Sequence, residues 1–218
     1  MPSYAEESIP ILIEPFPTEI VEMNIEPVYV DCAVTTQLSQ EQQLQTSLLQ
    51  EVTVTQLQHN IESFICDPND IRKITGLSIK DMKYLTMGTW LEGKEQALYD
   101  LEHQYGINAA FAMGVSTLES GSGSSNRARN RNSFYGESTG KCYANHYDNT
   151  MYFGDFMSRL YINSGKISVD TIGPKYCPPN RKWEIFVRNY MTEKEQFVRF
   201  RLNQKLSELK QSFDSNAI

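Results

Sequence analysis

The chain has 218 residues and a formal charge of -7, with 40% hydrophobic residues, 12 Tyr and 10 Phe. That is enough for one substantial packed domain, which excludes general disorder and a large multidomain assembly. Charge is unevenly distributed: residues 1–70 carry 12 acidic groups and no Lys or Arg (net -12), whereas residues 71–218 carry 20 basic and 15 acidic groups (net +5). The expected division is an acidic attachment or packing segment at 1–70 followed by a weakly basic body at 71–218. No Lys/Arg tract is dense enough for a phosphate footprint, so no nucleic acid partner is expected. No run approaches 18 apolar residues and no secretory pattern opens the chain, so neither a membrane span nor signal-dependent export is expected.

In chain order, Pro10, Pro15 and Pro17 among Ile9, Ile11, Leu12, Ile13 and Phe16, then Val28 to Val34, read as short strands or an adhesive arm. A Gln-rich stretch from Gln37 to Gln58, with Leu38, Leu44, Leu48, Leu49, Val52 and Leu57 interspersed, predicts one or two amphipathic helices, interrupted at the β-branched run 52–55. Asp67-Pro68 marks a turn, and Ser78 with Asp81 forms the body's first capping box. Residues 90–104 read as a helix ended by Tyr105-Gly106-Ile107-Asn108. Ala109 to Leu118 is almost wholly apolar or small, as a helix at the centre of a domain must be, and it runs into Glu119.

Ser120-Gly121-Ser122-Gly123-Ser124-Ser125 has the composition of a linker. Its place, directly after a buried helix and before Phe134-Tyr135-Gly136, points instead to an ordered loop lining a cleft. The aromatic and polar interval 141–156 suggests a small sheet or cleft wall, then a helix around Phe153 to Tyr161. Ser168 starts a further element stopped by Gly173-Pro174. Thr192 and Glu195 form a capping box for a last helix with Val198, Leu202, Leu206, Leu209 and Phe213 on its apolar side.

Glu119 is the first choice for chemistry. Partial burial and a helix C-terminus both disfavour its ionised form, which suits a proton donor near neutral pH. His146 near Cys142 and Asp148 supplies no complete ligand set, and the four cysteines contain no CxxC pair, so no metal or cofactor is expected. Reduced thiols are the expectation for the cysteines, with a Cys142–Cys177 disulfide as the alternative.

Tyr105-Gly106-Ile107-Asn108, Phe111-Ala112-Met113 and Leu118-Glu119-Ser120-Gly121-Ser122-Gly123-Ser124-Ser125, followed by Ala128, Asn132, Phe134 and Gly136, resemble the glucosaminidase family of peptidoglycan hydrolases, of the flagellar and autolysin types. The resemblance implies a mainly α, lysozyme-like helical domain with a small loop or β lobe, here preceded by the acidic extension. It implies that Glu119 is the catalytic acid and that Tyr176 matches the tyrosine of a later family motif. The residues after it, Cys177-Pro178-Pro179, depart from that motif, so the family's following aspartate has no counterpart.

The implied activity is cleavage of a β-1,4 bond from N-acetylglucosamine to N-acetylmuramic acid in a peptidoglycan strand; lytic transglycosylation and a wall-binding virion or envelope protein with little activity are the alternatives. Glycosidases pair the acid with a second carboxylate, for which Glu137 and Asp148 are preferred. Tyr135, Tyr143 and Tyr147 are candidates for sugar contacts, with Phe134 as wall support. Asn132 would hold the loop or bind an N-acetyl group, and Arg127 would face substrate carboxylates. A phage-tail lysin, mounted on virion tail proteins through residues 1–70 and acting at the bacterial wall, would combine both halves; an endolysin held in the host cytoplasm before release is the alternative.

Overall fold

The structure, a computed structural model, describes residues 32–136, 140–178 and 182–215, with side chains from residue 40 onward. Expectations for residues 1–31, including the proline-rich opening, and for Glu137 and Pro179 lie outside the described residues. Gln45–Ile218 cluster as one compact unit, distinct from Met1–Leu44.

The architecture is helical: α1 Cys32–Ser63, α2 Ile79–Thr86, α3 Glu95–Tyr105, α4 Ala109–Ser120, α5 Asn126–Arg131, α6 His146–Leu160, α7 Val169–Tyr176 and α8 Lys182–Ser215, with one 3-10 turn at Ile162–Ser164. No strand occurs among the described residues, so the expected β lobe is corrected to loop and helix. The aromatic interval takes helical spacing, with Asn149, Thr150, Phe153, Gly154 and Met157 turned inward along α6. The preceding segment closes through a backbone bond from Tyr143 N–H to the Arg131 carbonyl at 2.9 Å and through the Asn132 amide, which donates to the carbonyls of Tyr143 and Ala144 at 2.9 and 3.1 Å.

The central helix is α4, buried from Ala109 to Ser116. Asn108, itself fully buried, caps it by accepting from the N–H groups of Ala110 and Phe111. Its own amide donates to the carbonyls of Ile65 and Lys73, so one side chain satisfies both a helix end and two loops. Glu102 on α3 lies beside the same helix start. Its carboxylate accepts from Ala109 N–H at 2.7 Å and from the Thr75 N–H and hydroxyl, each at 2.9 Å. Burial pushes the Glu102 carboxyl up from its ordinary value, while these donors oppose the shift.

Alongside α4 runs α8, burying Trp183, Val187, Met191, Val198 and Leu202. The last helix thus begins well before Thr192. That hydroxyl bonds the Arg188 carbonyl within the helix, and Glu195 accepts from Cys66 N–H and from Arg199, so the expected capping box does not form. Arg199 also donates to the carbonyls of Ile61 and Phe64 at the end of α1, where a cation complements the helix dipole. Three other boundaries differ from expectation. The β-branched run at 52–55 stays inside a continuous α1, which also takes up Cys32–Val34. Residues 87–94 form a turn with Gly88 and Gly93 at positive φ, so α3 starts only at Glu95. Pro174 sits within α7, whose capping box at Ser168 and Thr171 starts it early enough to contain the proline.

Candidate active site

Glu119 lies in the last turn of α4, half-buried, where the helix emerges from the core. Two features pin its carboxylate. The indole N–H of Trp183, from the first turn of α8, reaches Oε1 at 3.3 Å. On the other side, Gly136 stands against it so closely that a Cβ there would lie 2.6 Å from the carboxyl carbon. Gly136 also has φ +73°, a left-handed conformation that L side chains rarely adopt, so glycine is required twice over.

The Gly136 backbone is fixed in turn from behind. Tyr176, the last residue of α7, donates its hydroxyl to the Tyr135 carbonyl, and its ring packs 5.1 Å from that of Trp183. Tyr135 is fully buried, stacked on Phe153 at 4.2 Å, with its hydroxyl 3.0 Å from that of Thr150. Phe134 N–H donates to the buried Asn149 side chain at 2.7 Å. Glu119, Gly136, Tyr135, Tyr176 and Trp183 thus form one connected group.

The serine and glycine loop is ordered. Ser120 donates its hydroxyl to the Ser116 carbonyl and accepts from Gly123 N–H, and Ser125 N–H returns to the Ser120 carbonyl at 2.9 Å. Gly121, Ser122 and Gly123 all take positive φ, which folds the chain back tightly enough for Ser125 to cap α5. Polar serine chemistry here serves a fixed turn.

The remaining candidates fall in three places. Asn132 holds the loop through the carbonyls described above, and Phe134 and Tyr143 are buried in the wall around it. Arg127 is exposed on α5. Tyr147 and Asp148 stand on the first turn of α6, where the Tyr147 hydroxyl donates to Asp100 at 3.0 Å and Asp148 is exposed, its N–H bonded to Asn145. Among the described residues no hydrogen bond or ion pair joins Asp148 to Glu119. His146 is buried edge-on against Phe134, and burial pulls its imidazole down to about 4, leaving it neutral at pH 7. Cys66, Cys142 and Cys177 are free thiols; burial pushes the Cys66 thiol up. Among the described residues no helix is long and apolar enough to cross a membrane.

The fold resembles that of a solved autolysin. S. aureus Autolysin E, solved in complex with the muropeptide NAM-L-Ala-D-iGlu, aligns with a TM-score of 0.51 at 12% identity, covering 65% of this chain and 77% of that one. No family model and no curated protein matches the chain. The mainly helical domain expected at 71–218 thus has a solved counterpart at the level of fold.

Trp183 was not among the sequence candidates, although its indole N–H meets Glu119. A signal for it existed: Trp183, Val187, Met191, Val198 and Leu202 recur at helical spacing and would have extended the last helix backward to it. Asn108 and Glu102 left weaker traces. A buried carboxylate serving a neighbouring helix start has no local pattern.

Proposed function

We propose that this chain is a peptidoglycan glycosidase in which Glu119 protonates the departing sugar oxygen. The observation that carries the reading is the setting of Glu119: a carboxylate at the emerging end of a buried helix, held between the Gly136 backbone and the Trp183 indole. A general acid needs this restraint, because its proton must meet one oxygen in one geometry. The resemblance at 105–136 and the autolysin-like fold support the choice of a wall glycan as substrate.

In the proposed reaction, Glu119 gives its proton to the glycosidic oxygen as the bond to the anomeric carbon lengthens. Positive charge develops on that carbon, and water attacks it to leave a new reducing end, expected on N-acetylglucosamine. A second carboxylate would sit roughly 5–5.5 Å away for retention or roughly 6.5–9.5 Å for inversion. Glu137, next in sequence to Gly136, is the first candidate, and Asp148, exposed on α6, is the second. Tyr176 acts in this proposal as a positioning residue that fixes the Tyr135 carbonyl, and hence Gly136, against the acid. Asn132, Phe134, Tyr135 and Tyr143 shape the wall behind it, with Tyr147 and Arg127 placed for outer contacts. The same acid would serve lytic transglycosylation, in which an intramolecular hydroxyl replaces water. The acidic segment 1–70 is proposed as the attachment or packing segment of a tail lysin, with residues 45–70 serving the packing part as members of the compact unit.

Zymography on purified peptidoglycan tests the reading. Clearing by the wild type and its loss in Glu119→Gln support it. Tight wall binding without clearing by the wild type would replace the enzyme with a wall-binding structural protein.

A further inference from the structure

A second surface beside this site joins an exposed aromatic ring to unneutralised positive charge. The chain has two tryptophans; Trp183 is fully buried, whereas Trp90 is 58% exposed. Trp90 is presented by the turn between α2 and α3, which is internally braced. Thr89 donates its hydroxyl to the Thr86 carbonyl at 2.6 Å, Gly88 N–H bonds the Glu92 carboxylate at 3.0 Å, and Glu95 accepts from Gly93 N–H at 2.9 Å. The neighbouring Leu91 is fully buried and packs so near the loop after Glu119 that a Cβ on Gly123 would lie 3.3 Å from it and 3.0 Å from Phe134. The turn and the loop therefore share one packed base.

From α5, the Arg129 guanidinium lies 5.3 Å from the centre of the Trp90 ring and donates to the Asn126 side chain at 2.7 Å. Asn126 also borders an open recess of about 430 Å³, lined by Arg127, Asn130, Arg131 and Gly140. Among the described residues neither Arg129 nor Arg131 pairs with a carboxylate. An indole face packs well on the C–H face of a pyranose, and a guanidinium fork grips a carboxylate through paired N–H donors. A neutral sugar can use only the first of these. A sugar with a pendant carboxylate can use both.

We propose that Trp90 and Arg129 form a subsite that selects a sugar carrying a carboxylate over a neutral one. This inference rests on the peptidoglycan reading, in which the carboxylate belongs either to a lactyl ether or to a stem peptide.

The test is equilibrium binding by the full-length Glu119→Gln chain, in which turnover is blocked, to three probes. These are a neutral N-acetylglucosamine oligomer, a peptide-free glycan fragment with lactyl carboxylates, and a peptide-bearing muropeptide. Arg129→Ala is expected to weaken the charged probes about ten-fold or more, the usual weight of a hydrogen bond to a charged group, while leaving the neutral oligomer nearly unchanged. Loss confined to the muropeptide assigns the stem carboxylate, loss confined to the peptide-free fragment assigns the lactyl group, whose carboxyl is an amide in the muropeptide, and loss on both shows that either carboxylate is accepted. Trp90→Ala is expected to weaken all three. Arg159→Ala, which removes an equal charge already paired with Asp155 on α6, should weaken none. Unchanged affinity in Arg129→Ala, an equal loss for neutral and charged probes, or an equal loss in Arg159→Ala would overturn the subsite. Trp90- and Arg129-dependent binding by a chain whose wild type leaves the wall uncut would keep the subsite and overturn the enzyme. Wall cleavage and binding that ignore both substitutions would do the reverse.

Discussion

Replacing Gly136 with alanine tests whether the tight approach to Glu119 matters for chemistry. Two costs are expected. The left-handed backbone at φ +73° costs an alanine about 1–2 kcal/mol. In a chain of this size that lowers Tm by roughly 2–8 °C. The added Cβ must also displace the Glu119 carboxylate, since the available gap to its carboxyl carbon is 2.6 Å. A shift of the acid by about 1 Å is enough for a loss near 100-fold in turnover. Gly165→Ala separates the two costs, because Gly165 has φ +78° but no atom within 4 Å of its Cβ position. Turbidity clearing of purified wall, read beside thermal melts, should find similar losses of Tm in the two variants. Turnover should collapse only in Gly136→Ala. Equal turnover losses in both, or full turnover in Gly136→Ala, would refute the reasoning.

Trp183→Phe keeps most of the buried ring but removes the N–H that meets Glu119. A hydrogen bond to a charged group is worth about 1.5–3 kcal/mol, so kcat should fall at least about ten-fold with the circular dichroism spectrum unchanged; an unaltered kcat would detach Trp183 from the site. Asn108→Ala removes the cap of α4 and leaves two inner carbonyls without their donor. A loss of about 3 kcal/mol is expected from urea unfolding midpoints, and an unmoved midpoint would count against the capping role. His146 is held down at about 4 by burial against an ordinary 6.5. The unfolded chain therefore binds a proton that the fold resists, and this contribution to stability is present above pH 6.5 and is lost as pH falls toward 4. The loss amounts to about 3 kcal/mol. His146→Phe should flatten that part of the stability curve, whereas parallel curves for variant and parent would contradict the assignment.

What the sequence made legible was the stretch with the least ambiguous chemistry. Ala109 to Leu118 could be little other than a buried helix, and its neighbours Asn108 and Gly121 turned out to be its cap and its left-handed terminator. The ordered serine and glycine turn was also readable from its position after that helix. Elsewhere local patterns misled. Thr192 and Glu195 have capping-box spacing, yet Trp183, Val187 and Met191 bury against the core and carry α8 straight through them. The aromatic interval at 141–156 suggested a small sheet or cleft wall, but its polar members Asn149 and Thr150 lie on a helix. They point inward to hold Phe134 and Tyr135. The contacts that brace the Glu119 group, from Trp183 and through Tyr176, span 64 and 41 residues, a separation at which no local pattern can reveal a partner.

The central claim is that Glu119 donates the proton that breaks a glycan bond. Its most direct test is mass analysis of purified peptidoglycan digested by the wild type and by Glu119→Gln under equal conditions. The expected result is a set of fragments from the wild type, each carrying one added water at a new N-acetylglucosamine reducing end, and their absence with the variant. Fragments of equal yield from Glu119→Gln would contradict the claim.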